Sequence, residues 1–156
     1  MNLEIERKFL PVSNEYRTAA VESHRLRQGY IARDKGNSVR IRIWDSTGII
    51  TIKGPSADGI ARAEWEMEIP LKDAEALLKM CHGGIIDKTR YIVPEASGKK
   101  FEVDEFYGDN EGLVMAEIEL DSIDQPFEKP SWLGNEVTGD PRYYNSHLSL
   151  HPFKTW

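Results

Sequence analysis

Apolar and polar side chains alternate with period two through much of this chain, and successive side chains on a β-strand point to opposite faces. In Leu3-Glu4-Ile5-Glu6-Arg7-Lys8-Phe9 the charged Glu4, Glu6 and Lys8 share one face, while Leu3, Ile5 and Phe9 form most of the other and Arg7 interrupts the apolar row. The pattern recurs. Val39 to Ile43 sets Arg40 and Arg42 on one face, Thr51-Ile52-Lys53 adds an ammonium, and Arg62, Glu64, Glu66 and Glu68 alternate with Ala63, Trp65, Met67 and Ile69. Further on, Lys88 with Arg90, Glu102 with Asp104, and Glu117 with Glu119 repeat it. A sheet built from these runs has one face almost wholly ionised.

Between the runs lie turn and helix signals. Ser13 to Arg17 predicts a capped helical turn after Pro11, and a strand is predicted from His24 to Ala32. On that strand Arg25 and Arg27 oppose Leu26, Gln28 and Tyr30, and the pattern alone does not choose between the faces. Asp34 to Asn37 and Asp45 to Gly48 read as hairpin turns, and Gly54 to Gly59 as a loop of lid-like composition. Leu71 to His82 predicts an amphipathic helix stopped by Gly83-Gly84, with Ala74, Leu77, Leu78 and Cys81 on its apolar face. Ile86 to Val93, Lys100 to Phe106 and Leu113 to Leu120 predict the remaining strands. Asp140 and Pro141 open a last predicted helix running to Leu150, with Tyr144 and Leu148 one turn apart, expected to lie against one mouth of the sheet. Its Arg142, Tyr143 and Asn145 offer polar contacts to a strand edge or a ligand.

An open sheet with an ionised outer face would be an ordinary α+β domain in which charge serves solubility. Closed into a barrel with that face inside, the same strands concentrate carboxylates and cations, and Trp65, Phe101, Val103, Ile118 and Leu120 pack outward against helices. Like charges at contact repel by about 4 kcal/mol at an effective dielectric near 20, so a closed version needs ion pairs, water and ligands. Guanidinium and ammonium groups suit several phosphoryl groups. Carboxylates tolerate such a polyanion when a hard divalent cation bridges them to it, and all-oxygen donors favour Mg²⁺ or Mn²⁺.

The ordered set Glu4-x-Glu6-x-Lys8, paired arginines, a Thr-x-Lys-Gly strand and a late Glu-x-Glu strand resembles the CYTH superfamily, the triphosphate tunnel metalloenzymes. The resemblance extends to Pro130-Ser131-Trp132-Leu133-Gly134-Asn135-Glu136-Val137-Thr138 and to Arg142-Tyr143-x-Asn145. It implies an α+β fold: a closed, eight-stranded antiparallel β-barrel with a charged tunnel, helices packed outside, and Gln28 and Tyr30 near the cavity. It also implies metal-dependent hydrolysis of inorganic tripolyphosphate to pyrophosphate and phosphate. Arg40, Arg42, Lys53, Lys88 and Arg90 then hold phosphates. Glu4, Glu6, Asp104, Glu117 and Glu119 are the candidate metal ligands. Lys8 and Lys88 assist departure, and Glu64 and Glu66 bind a second metal, orient water or pair with arginines. Nucleoside or thiamine triphosphatase and class IV adenylate cyclase are alternatives within the family. A non-catalytic polyphosphate-binding module is disfavoured, because a pure polyanion binder gains nothing from so many carboxylates.

Composition adds limits. The 156 residues suit one domain, and a net charge of −6 argues against a general nucleic-acid surface. Cys81 is the only cysteine and reads as a core residue; no signal peptide or membrane-spanning apolar run is evident, so a cytoplasmic location is expected. His24, His82, His147 and His151 form no local ligand pair. A homodimer is the expected assembly, if any.

Overall fold

Nine antiparallel strands make one sheet in the computed structural model, which describes residues 2–56 and 61–156, the side chains of residues 2–4 excepted. The strands are β1 (Asn2–Pro11), β2 (Glu22–Asp34), β3 (Asn37–Trp44), β4 (Thr47–Lys53), β5 (Ala61–Ile69), β6 (His82–Pro94), β7 (Lys100–Phe106), β8 (Val114–Leu120) and β9 (Leu133–Glu136). They run in the order β5-β4-β3-β2-β6-β7-β8-β1-β9, and an added pairing between β5 and β1 closes the first eight into a barrel. β1 makes the closure by dividing one edge. Asn2 to Ile5 pair with β5, Phe9 and Pro11 pair with β9, and the opposite edge pairs with β8 from Ile5 to Phe9.

The outer face of the barrel is apolar and needs cover. Phe9, Phe101, Val103, Ala116, Ile118 and Leu120 pack beneath Tyr16 of helix α1 (Tyr16–Ala19) and Trp132. Trp132 meets the rings of Phe101 and Tyr16 edge-on at 5.4 and 5.8 Å. Each such side chain contributes about 1.5–3 kcal/mol by leaving water. Helix α2 (Leu71–Leu78) lays Ala74 and Leu78 on Ile41 and Ile43 of β3, with Cys81 at the margin. Helix α2 also reaches Ile50 of β4 and Ile69 at the end of β5, but Trp65, expected under a helix, points outward and stays 44% exposed beside Ile52 and Met67.

Two further expectations are corrected. The predicted helix over Leu71 to His82 stops at Leu78, because Gly83 and Gly84 belong to β6. Gly83 has φ +79°, and a Cβ there would sit 2.8 Å from the Ser149 carbonyl oxygen; Gly84 N donates to the same oxygen at 2.7 Å. The glycines therefore admit the C-terminal segment against β6. That segment is not one helix from Asp140 to Leu150. Asp140 caps a 3₁₀ turn (Pro141–Tyr143), Tyr144 is extended, and α3 is the single turn Asn145–Leu148. The break lets Tyr143 and Leu148 both pack on Ile86, Phe106, Leu113 and Met115. Period two places Ile86, Phe106 and Met115 on the inner face with Lys88, Asp104 and Glu117, so this cluster fills the barrel interior at one end. Among the described residues no helix is long and apolar enough to cross a membrane.

Candidate active site

The ionised face points inward and lines a cavity of about 810 Å³. Four contiguous strands form its cationic wall: Arg40 and Arg42 from β3, Lys53 from β4 and Arg90 from β6, with Tyr30 of β2 between them. The other four carry the carboxylates, Glu64 and Glu66 from β5, Glu6 from β1, Glu117 and Glu119 from β8, and Glu102 from β7. Lys8 of β1, Lys100 of β7 and Arg62 of β5 are cations on that acidic wall. Of the residues singled out from the sequence, Lys8, Arg40, Arg42, Lys53, Glu64, Glu66, Arg90, Glu6, Glu117 and Glu119 all reach the cavity. The Glu4 side chain lies outside the described residues, as do residues 57–60 of the proposed lid loop.

Lys88 and Asp104, read from the sequence as phosphate and metal ligands, instead sit behind the lining. Both are buried, with Lys88 Nζ 2.7 Å from Asp104 Oδ2, and Arg90 donates to both Asp104 oxygens at 2.8 and 2.9 Å. Burial would raise the Asp104 pKa, but Arg90 and Lys88 hold it below the usual value. Burial pushes Lys88 down to about 7; Asp104 opposes that shift, and Arg90 and Arg42 reinforce it. Lys8 differs. Burial would lower its pKa as well, yet Glu117 at 2.7 Å and Glu6 at 3.3 Å raise it and keep the ammonium charged.

Arg42 carries the least compensated charge of the cationic wall. Its Nε donates to Gln28 Oε1 at 2.8 Å, and it ion-pairs with no carboxylate among the described residues. Burial, together with Arg40 and Arg90, pushes its pKa down to about 9. Arg40 bonds Thr51 Oγ1 at 3.2 Å and lies 3.6 Å from Glu66, but its Nε is buried without an acceptor. Thr51 donates to Glu66 at 2.8 Å. Burial would raise the Glu66 pKa; Thr51, Glu64, Arg40 and Arg42 hold it below normal. Arg25 and Arg27 face outward to Asp87 and Glu75, which leaves Gln28 and Tyr30 inside.

The acidic wall sets like charges directly opposite each other: Glu6 faces Glu119 between β1 and β8, and Glu102 faces Glu117 between β7 and β8. Opposed like charges destabilise a sheet unless a cation lies between them. For the Glu117 side that cation is partly Lys8. Among the described residues the carboxylates do not converge as a ready set of three, but their hard oxygen donors and mutual repulsion fit a divalent cation. Glu102 was legible on the same period-two face as Asp104 without being assigned a role. Thr138, Tyr144 and Ser146 also line the cavity; they lie in the resembling motif or in the segment expected at one mouth of the sheet, without any being assigned a role there.

A model of the CYTH domain family matches residues 2–144. The chain belongs to the CYTH family. This CYTH chain is 47% identical to an inorganic triphosphatase of Acetivibrio thermocellus over all of its own length and 99% of the relative's. It is 36% identical to an inorganic triphosphatase of Nitrosomonas europaea, over 94% of its length and 97% of that protein's. A crystal structure of an inorganic triphosphatase aligns with a TM-score of 0.68 at 35% identity, covering 96% of each chain.

Proposed function

We propose that this CYTH chain hydrolyses inorganic tripolyphosphate to pyrophosphate and phosphate with Mg²⁺ or Mn²⁺ as cofactor. The observation that carries the reading is the guanidinium pair Arg40 and Arg42, half-buried in a cavity wall, with one unpartnered Nε and one side chain that has no carboxylate partner among the described residues. A polyphosphate supplies the acceptors that this wall lacks, and guanidinium engages phosphate oxygens bidentately.

Arg40, Arg42, Lys53 and Arg90 hold the phosphoryl chain against the cationic wall. Glu66 positions Arg40 through Thr51, while Asp104 and Lys88 brace Arg90 from behind. Glu6, Glu117 and Glu119, with Glu4, would hold the cation. When bound, it supplies Lewis acidity at phosphoryl oxygens and a lower pKa for water. The water oxygen bonds the terminal phosphorus as the anhydride P–O bond breaks, and pyrophosphate leaves with the electron pair. Lys8, kept protonated by Glu117 and Glu6, neutralises the charge that develops there.

Within the family's range of substrates, an inorganic one is favoured by the aromatic side chains in the lining. Tyr30, Trp44 and Tyr144 already have Arg33, Arg90 and Lys8 over their rings at 5.2, 5.8 and 5.7 Å, and His24 lies against Trp44 at 4.7 Å. Those faces are taken before a nucleobase or thiamine ring could stack. A panel of tripolyphosphate, ATP and thiamine triphosphate at equal concentration, scored for released phosphate and cyclic AMP, is expected to show highest kcat/KM for tripolyphosphate. Preference for ATP, or cyclic AMP as the main product, would replace this reading with its runner-up. The single cysteine suits a cytoplasmic location. A homodimer would find apolar surface at Ile52, Trp65 and Met67.

A further inference from the structure

Asn145 enters the cavity from α3 and not from the barrel wall, and its neighbour decides which way its amide faces. Lys88 Nζ donates to Asn145 Oδ1 at 3.0 Å. An ammonium has donors only, so the amide oxygen must face Lys88 and the NH₂ group must turn away from it. Asn145 lines the cavity. Its side chain does not cap α3, and among the described residues its Oδ1 makes the one hydrogen bond of its side chain. Two amide protons on a cavity-lining residue are thereby left for a ligand, held in place by a lysine with no exposed surface of its own.

We infer that Asn145 is a further phosphate-binding residue, whose amide NH₂ donates to a phosphoryl oxygen in the cavity and is aimed there by Lys88. The identity of that oxyanion rests on the triphosphatase reading. A neutral donor suits the position. It adds hydrogen bonds to the polyanion without placing another positive charge beside Lys88, which Arg90 and Arg42 already crowd. The role assigned to Lys88 follows: it reaches the substrate through Asn145, and its contribution is orientation.

Two variants separate this inference from a merely structural role. Asn145→Asp keeps the size and the acceptor that Lys88 needs but replaces the NH₂ with an oxygen that repels phosphate; Asn145→Ala removes both. Asn145→Asp is expected to melt at or above the parent temperature while kcat/KM for tripolyphosphate falls on the order of 10²-fold, and Asn145→Ala is expected to lose activity at least tenfold. Parental kcat/KM in both variants, after correction for folded fraction, would overturn the inference. Calorimetric titration with tripolyphosphate in metal-free buffer separates it from the parent reading. If the parent binds tripolyphosphate there but does not turn it over once Mg²⁺ or Mn²⁺ is added, the hydrolase reading fails; weaker binding by Asn145→Ala still supports the phosphate contact, and equal binding overturns it. If the parent neither binds nor hydrolyses tripolyphosphate, both fall.

Discussion

Removing the Arg42 side chain takes away a guanidinium that Gln28 orients and no described carboxylate neutralises. Because it is crowded by Arg40 and Arg90, Arg42→Ala relieves repulsion in the folded protein while it deprives the ligand of a charge. The expected outcome is a melting temperature equal to or above the parent's together with a KM for tripolyphosphate raised at least tenfold, measured by steady-state phosphate release. An unchanged KM would mean that the guanidinium faces only water. Glu6→Gln tests the opposite wall. It removes half of the like-charge pair with Glu119 and one carboxylate near Lys8, so turnover at subsaturating magnesium is expected to fall on the order of 10²–10³, with partial recovery as magnesium is raised. Activity equal to the parent across the titration would remove Glu6 from the cation site. At this scale the sequence was informative about which residues share a face and silent about depth. Lys88 and Arg90 look alike in the pattern, yet Lys88 is buried behind the lining and Arg90 lies on it. Depth depends on the strands packed around a residue, which local periodicity does not encode.

Among the elements, those with alternating charge were legible and those held by tertiary contact were not. The strands carrying Arg40 and Arg42, Glu64 and Glu66, or Glu117 and Glu119 lie where the alternation puts them. β9 is four residues, Leu133–Glu136, with no alternation long enough to read; pairing with Phe9 and Pro11 and the Arg7–Glu136 ion pair at 2.7 Å secure it. The C-terminal segment departs from its sequence pattern for a related reason. Its cap and period do indicate a helix, but burying Tyr143 and Leu148 while turning Tyr144 and Asn145 to the cavity requires the break at Tyr144. The segment therefore joins stability to the site. Leu148 is 1% exposed in the interior cluster, and Leu148→Ala is expected to cost about 2–5 kcal/mol, read from the midpoint of urea unfolding. A midpoint unchanged from the parent would show that the segment is laid on the barrel and does not fill its end.

For the molecule as a whole, alternation specifies two faces and leaves open which one becomes the interior. The pairing of Asn2 to Ile5 with Ala61 to Glu64 decides it, because that ladder turns an open sheet into a closed barrel with the ionised face inside. No local signal announces a contact so distant in sequence; the charge pattern supplies an indirect one, since so many alternating ions on consecutive strands are wasteful on a solvent face. Closure then explains why cations and carboxylates occupy opposite walls of a single cavity, a division that suits the proposed ligand with phosphoryl oxygens together with a divalent cation. Phosphorus NMR of tripolyphosphate incubated with the protein tests this most directly, with Mg²⁺ or Mn²⁺ in one sample and excess EDTA in the other. The expected result is equimolar pyrophosphate and phosphate in the first and unchanged tripolyphosphate in the second. Equal turnover in EDTA, or no turnover with either metal, would contradict it.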